Sequence, residues 1–334
     1  MAQTSIGLMA YAPALPRLRL SATAYREAWG GCQARGLKRK AFCAYDEDAV
    51  TLAIAAARAV LDRVPDSDRF DAIFLGATSL PYEEKPSGAT ILSALTERRD
   101  LRVVEIGGST QAGLQALIAA WEFCAAAPGR RALAIAADAP AAPVDAPYEH
   151  ALGAGAAAFL VGADGAVATF ERSGAVSRET FGRRMRRQGA ATLQDLELRT
   201  DDVGPVLRDL RASFGAPTAV DFLALGGDAA AARRAPQALG VGDAALCAPW
   251  SELGDGGAAL AGLALCDALD RAKAGEAILA VALGGGATVL SLKAAEGAAA
   301  GLTLTESAAG GREVGYLDYL RHKRMLSSRF GGTA

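Results

Sequence analysis

Histidine is nearly missing from this chain: its 334 residues hold two, His150 and His322. Cysteine is sparse as well. Cys32, Cys43, Cys124, Cys247 and Cys266 form no CxxC pair and stand at no zinc-ligand spacing from a histidine, so no metal site is expected. An odd, scattered set of thiols fits a reducing cytoplasm. Charge of one sign is lacking too. With 35 basic and 37 acidic residues the net charge is −2, and no bulk field draws the chain to nucleic acid or to a membrane. No run of about 18 strongly apolar residues is available to span a bilayer. The opening MAQTSIGLMAYAPALPRLRL has no basic region followed by a long apolar stretch, so a secretory signal is not expected. These absences together point to a cytoplasmic chain.

What is present is apolar and layered. At 51% hydrophobic, the chain is long enough for one large core or for two fused halves. Ile6 to Leu20 reads as a strand, a proline-punctuated turn and a second extended piece. Asp48 to Arg63 reads as a helix with Leu52, Ala55, Ala56, Val60 and Leu61 in one stripe, stopped by Pro65 and Asp66. Phe70 to Gly76 is a short buried strand. Pro86 to Arg98 is a helix with Ser87 as its cap. Further strands are expected at Gly129 to Ala137, Gly155 to Gly162, Ala166 to Arg172 and Val220 to Leu225. Helices are expected at Val203 to Phe214 and Gly256 to Ala274. Ala277 to Leu283 and Ala287 to Leu292 pair around Gly284-Gly285-Gly286, a hairpin turn and not a phosphate loop, because no Lys-Ser/Thr follows it.

The pattern echoes itself. A helix, a glycine and a strand ending in ALAIA (Ala112 to Ala136) return as a helix, a glycine and ILAVA (Gly257 to Ala282). Phe70 to Gly76 returns as Val220 to Gly226. Two such halves fused head to tail would bury two sheets against shared helices.

The stretch RVVEIGGSTQAGLQAL, Arg102 to Leu117, organises the rest. A strand runs into the bend Gly107-Gly108-Ser109-Thr110 and straight into an Ala/Leu-rich helix. Glycine permits the backbone angles of such a bend. The helix N-terminus behind it offers unpaired N–H groups to an anion. Enzymes use elbows of this kind to present a nucleophile and to hold an oxyanion.

The elbow resembles that of the thiolase superfamily, and within it the archaeal and bacterial hydroxymethylglutaryl-CoA synthases. Other segments resemble the same family in the same order. Ile6 to Leu20 is similar to GYGAYIPRYRI, Gly36 to Val50 to EKxVPGxDEDxxT, Leu75 to Gly88 to GSESxPYxxKPxG, and Tyr148 to Gly162 to EYxAGAGAAAFIIG. Phe181 to Arg187 is similar to an FWRR segment, and Tyr316 to Arg324 to the ending YxxYxRxRG. The resemblance implies an α/β thiolase fold, duplicated and five-layered in the order α-β-α-β-α. It implies a thiolase-like half over residues 1–172, a second over 173–300 and a C-terminal extension over 301–334.

The family's chemistry implies a cysteine that carries the acyl group, a glutamate that removes a proton from the acetyl carbon, and a histidine that polarises the acceptor. At the matching positions this chain has Gly107 (or Thr110, on a CxxGLQ count), Thr78 and Gly226. The family's GNTYSGS becomes Gly254-Asp255-Gly256-Gly257-Ala258. The substitutes on offer are Ser109 with His150 as its base, and the thiol of Cys32. Glu83 and Glu84 are displaced carboxylates or a solvated face. Arg183, Arg184, Arg186 and Arg187 either meet the phosphates of coenzyme A or face solvent or a partner.

The expectation is therefore a catalytically degenerate synthase-like subunit that binds coenzyme A or acyl-CoA as a ligand at most. It would dimerise, with itself or with another chain, and support a thiolase-like catalytic subunit together with a small OB-fold zinc-ribbon acyl-CoA-binding protein. The tail residues Tyr316, Leu317, Tyr319, Leu320 and Arg321 are expected at the partner interface. The alternatives are an active acyltransferase, thiolase or hydrolase that uses non-standard residues, and a plain acyl-CoA-binding protein.

Overall fold

Short apolar runs such as Ala-Ile-Phe-Leu-Gly and Gly-Ala-Ala-Ala-Phe-Leu-Val-Gly become strands buried on both faces, and the alanine-rich segments between them become the helices that cover them. The computed structural model describes residues 5–64, 69–127, 129–163, 167–196, 201–215, 219–297 and 301–326. The expected helix stop at Pro65 and Asp66, the strand start at Ala166 and tail residues 327–334 lie outside them. In chain order the first half holds β1 (Gly7–Ala14), β2 (Leu18–Ser21), α1 (Ala22–Trp29), β3 (Arg39–Phe42), α2 (Ala49–Leu61), β4 (Ala72–Gly76), α3 (Ser87–Leu95), β5 (Arg102–Ile106), α4 (Ala112–Ala125), β6 (Ala132–Asp138) and β7 (Gly155–Gly162). The second holds β8 (Ala168–Ser177), α5 (Val203–Phe214), β9 (Phe222–Gly226), α6 (Ala229–Leu239), β10 (Ala245–Cys247), α7 (Trp250–Leu253), α8 (Ala259–Arg271), β11 (Ala277–Leu283) and β12 (Gly286–Ala294). The chain continues through α9 (Leu304–Ala309), β13 (Arg312–Glu313) and α10 (Tyr316–His322).

The strand order shows the duplication. One ten-stranded sheet runs β10-β9-β11-β12-β8-β1-β7-β6-β4-β5. Read outward from the middle, β1-β7-β6-β4-β5 matches β8-β12-β11-β9-β10 strand for strand. Within the sheet the two halves join where Gly7 and Leu8 pair with Thr169 and Ala168. Residue 172, the expected boundary, lies within β8. The layers follow. Helices α2 and α3 cover one outer face, α5 and α6 the other, and α4 and α8 lie between the two half-sheets in the central core. The two central helices cross closely, because a Cβ on Gly113 would run into the Ala258 carbonyl and the Ala136 side chain.

Local chemistry sets the ends. Asp48 caps α2 by accepting from Thr51 N at 2.8 Å, while the Thr51 hydroxyl accepts from Asp48 N at 2.8 Å. Ser87 does not cap α3 as expected. Pro86 holds that position, and the Ser87 hydroxyl is buried without a partner. Helix α6 was not expected at all, although Asp228 starts it by accepting from Ala230 and Ala231 N.

The C-terminal extension is built into the body. β13 pairs parallel with β2, and the buried Arg19 donates to the carbonyls of Pro16 (2.6 Å) and Ser307 (3.1 Å). Tyr319, expected at a partner interface, is 2% exposed in this chain's own core beside Tyr25 and Phe42. Its phenol donates to Glu149, which pairs with the fully buried Lys40 at 2.8 Å. Tyr25 donates to the same carboxylate at 2.9 Å. Burial works to raise the Glu149 pKa, but the Lys40 charge and the three donors outweigh it and hold it below its ordinary 4.5. Tyr316 and Leu320 pack against the same cluster. Only Leu317 and Arg321, of the five, face solvent.

Candidate functional site

The elbow forms where predicted. β5 ends at Ile106, Gly108 takes φ +81°, and α4 starts at Ala112. Its side chains are occupied. Ser109 Oγ donates to the Gly284 carbonyl at 2.6 Å, and Thr110 Oγ1 donates to the Leu283 carbonyl. Gln111 Nε2 donates to Gly284 as well, while Gln111 Oε1 accepts from the buried Thr288 hydroxyl at 2.7 Å. The β11–β12 turn is thus clasped against the elbow, and Gly284 is a glycine for a reason: a Cβ there would sit on the Thr110 hydroxyl.

This arrangement leaves Ser109 without a base, because its proton goes to a carbonyl and its lone pair accepts from Gln111 N at 3.2 Å. His150 does not reach it, and the expected Ser109–His150 pair is not formed. The imidazole is 1% exposed, stacked on Tyr25 at 4.0 Å, accepting from Gln33 N at Nδ1 and facing Asp145 at Nε2, both at 3.2 Å. Cys32 is half-buried between two small apolar clusters, with its sulfur 4.0 Å from the Ala34 carbonyl. Burial pushes the Cys43, Cys124 and Cys247 thiols up to about 12, which favours their uncharged form.

The three positions matched to catalytic groups differ in the space they leave. Gly107 is open, since a Cβ there would meet only the Ala77 carbonyl, at 3.3 Å. Gly226 is closed: a Cβ would lie 2.7 Å from Ala261 Cβ, 2.8 Å from its N and 2.9 Å from its Cα, so α8 occupies that space. Thr78 is committed elsewhere. Its hydroxyl donates to Asp138 at 2.7 Å and its backbone N–H to the same carboxylate at 3.0 Å. Asp138 is fully buried and also accepts from Ser79 Oγ and from Ala258 N (2.7 Å) at the start of α8. A buried carboxylate so satisfied ties the ends of β4, β6 and α8 together.

The arginines gather at the same end. Arg184 pairs with Asp255, and Arg186 donates to the Thr78 carbonyl at 3.0 Å. Arg183 lies 3.5 Å from Asp195 and 3.6 Å from Asp202, and Arg187 is exposed. Glu83 accepts from Gly189 N at 2.6 Å. A cavity of about 10 Å³ lies under Phe214 and Leu239, and an open groove of about 450 Å³ lies beside Glu27 and Glu313; neither is lined by residues of the elbow. No cluster of potential metal ligands occurs among the described residues, and no helix there is long and apolar enough to cross a membrane.

No protein-family model matches the chain. Curated relatives do. The hydroxymethylglutaryl-CoA synthase of Pyrococcus furiosus is 34% identical over 171 residues, 50% of this chain and 49% of that protein. The Methanobrevibacter smithii synthase is 30% identical over 182 residues, 52% of each. The alignment thus spans about half the length of these relatives. Over that half the chain is similar to the hydroxymethylglutaryl-CoA synthases. The fold agrees over a larger share of the chain than the sequence does. An MvaS protein solved with 3-hydroxy-3-methylglutaryl coenzyme A superposes with a TM-score of 0.78 at 18% identity, over 96% of this chain and 92% of that one. The synthase of the curacin pathway, solved with an apo donor-ACP, gives 0.80 at 19% identity over 94% and 87%. Both carry the thiolase-type α/β architecture described above.

Sequence reading missed Asp138, Asp255, Gln111 and the Lys40–Glu149 pair. Asp138 had a signal, a carboxylate closing the apolar run Ala-Leu-Ala-Ile-Ala-Ala-Asp, which signals a buried, satisfied charge. Lys40 and Glu149 had none, because their partnership spans 109 residues.

Proposed function

We propose that this synthase-like chain is a non-catalytic subunit that supports a thiolase-type acyltransferase partner by dimerisation and scaffolding. The observation that carries the reading is the state of the three catalytic positions. No thiol, carboxylate or imidazole stands at Gly107, Thr78 or Gly226. At Gly226 α8 leaves no room for a side chain, and Thr78 is bonded to the buried Asp138. Losses that have been built over remove transition-state stabilisation that no single side chain restores.

The surface supports a partner. β5 ends the ten-stranded sheet, and its Val103, Val104 and Ile106 are only half-buried. An edge strand with apolar side chains is a natural place for another sheet to continue. Leu317 and Arg321 face outward on α10, and Trp29 is 48% exposed against Tyr316. The ligand class proposed is coenzyme A or its thioesters, the compounds in which the MvaS neighbour and a second hydroxymethylglutaryl-CoA synthase were solved. The partners proposed are a thiolase-like subunit and a small OB-fold zinc-ribbon protein.

The test is mass spectrometry of the purified full chain after incubation with acetyl-CoA and acetoacetyl-CoA, beside co-purification with a thiolase-like chain. No acyl adduct and a stable complex are expected. An acylated residue on the isolated chain would favour the active-enzyme alternative.

A further inference from the structure

The arm that leaves β8, residues 178–196, crosses the loops around the elbow. At its root Arg178 N donates to the Gly285 carbonyl at 3.2 Å. Farther on, Met185 and Gln194 exchange backbone hydrogen bonds of 2.8 and 2.7 Å, which folds the arm into a narrow hairpin. That hairpin touches the loop after β4 through Arg186 and Gly189, the loop after β6 through Leu193 N to the Ala141 carbonyl (2.7 Å), and the segment before α8 through Arg184 and Asp255. Its hold is polar. Leu193 is its one buried side chain, while Phe181 and Leu196 are 74% and 53% exposed. Few buried apolar contacts mark a segment that opens at low cost.

Arg184 sits at the centre of this hold and is poorly settled there. It has φ +37°, a backbone angle that a non-glycine residue adopts under strain. One guanidinium nitrogen pairs with Asp255; the other, Nη2, is buried without a hydrogen-bond partner, above Gly257. A buried donor left unmet calls for an acceptor. Asp255 loses little if Arg184 leaves. Its side chain is 30% exposed, and Oδ1 keeps Gly257 N at 2.9 Å.

We propose that the 178–196 arm is a strap held shut by the Arg184–Asp255 pair and opened by an anion, a phosphate or a carboxylate, that takes the place of Asp255 on the Arg184 fork. A planar guanidinium that gains two acceptors in exchange for one favours the opened state. The strap deepens the reading of an acyl-CoA-handling subunit by naming what gates the elbow end, and it requires no partner chain.

Hydrogen exchange on the full chain tests this, read in peptides covering residues 182–196. The probes are inorganic phosphate, coenzyme A and glutarate, each at millimolar concentration in low-salt buffer. At least one is expected to raise exchange in the arm about threefold, the scale of a partly exposed ion pair. Asp255→Asn should raise the basal exchange by a similar factor and abolish the response. Arg184→Lys keeps the charge, removes the fork, and should blunt the response. Comparison of phosphate with glutarate tells which anion chemistry opens the strap. An arm that ignores all three probes, or variants that respond as the parent does, overturns the proposal. Acyl transfer by the lone chain would sink the functional reading and leave the strap standing; an unresponsive arm would do the reverse.

Discussion

Adding a single carbon at Gly107 and at Gly226 should give opposite results, and the contrast tests whether α8 closes the position matched to the family's histidine. At Gly226 the new Cβ falls 2.7–2.9 Å from three atoms of Ala261, two of them backbone. Helix α8 is also packed closely against α4, where a Cβ on Gly113 would lie 2.1 Å from the Ala258 carbonyl oxygen. Overpacking against a backbone with no room costs about 1–3 kcal/mol, and Gly226→Ala is expected at the upper end. At Gly107 the new Cβ meets one carbonyl oxygen at 3.3 Å, which asks for a shift of tenths of an ångström. Loss of glycine freedom in the unfolded chain returns about 0.4–1 kcal/mol, so Gly107→Ala should lie within about 1 kcal/mol of the parent. Urea denaturation monitored by circular dichroism measures both. Gly107→Cys adds a chemical readout, a sixth thiol that iodoacetamide labels while the four buried cysteines stay unmodified. Equal destabilisation at the two glycines, or a stable Gly226→His, would refute the claim that α8 has closed the imidazole position.

Other substitutions probe the remaining contacts. Thr78→Glu sets a second carboxylate against the buried Asp138 and should destabilise the chain by more than Thr78→Val, measured as the shift in urea midpoint. Lys40→Met strands Glu149 as a buried charge and should cost about 3–5 kcal/mol, with exchange rising first in α10, whose Tyr319 shares that carboxylate. Glu149 has its pKa held below 4.5, so its contribution is complete above 4.5 and is lost as pH falls through the lower folded-state value. Acid titration should therefore release α10 only below pH 4.5, and Trp29 fluorescence reports it through the 6.0 Å contact with Tyr316. A chain truncated after Gly315 should lose stability for the same reason; retention of the parent urea midpoint would show that the buried cluster does not hold the tail.

Much of the fold could be read from residue order. The elbow, the duplicated helix–strand units and the hairpin around Gly284 all announce themselves through local pattern, because alternating strands and apolar helices need neighbours only a few residues away. Helix α6, absent from the expected elements, nevertheless carries its start signal in the sequence, the Asp228 cap. The positions matched to the family's catalytic groups were also legible, but only as identities. That Gly107 is open, Gly226 is filled and Thr78 is bound to Asp138 depends on Ala77, Ala261 and a carboxylate 60 residues on, none of which a spacing rule brings together. The tail shows the same limit. Tyr316, Tyr319 and Leu320 look like anchors for a partner, and their burial was invisible until Tyr25, Lys40 and Glu149 came to meet them from three other parts of the chain.

The central claim is that this polypeptide performs no thioester chemistry on its own. The direct measurement is chromatographic quantitation of free coenzyme A released from acetyl-CoA and acetoacetyl-CoA by the pure, full-length chain, with and without a thiolase-like partner. The account predicts release at the uncatalysed rate from the chain alone and turnover only when the partner is present. Steady release by the lone chain, lost on substitution of Ser109 or Cys32, would contradict it.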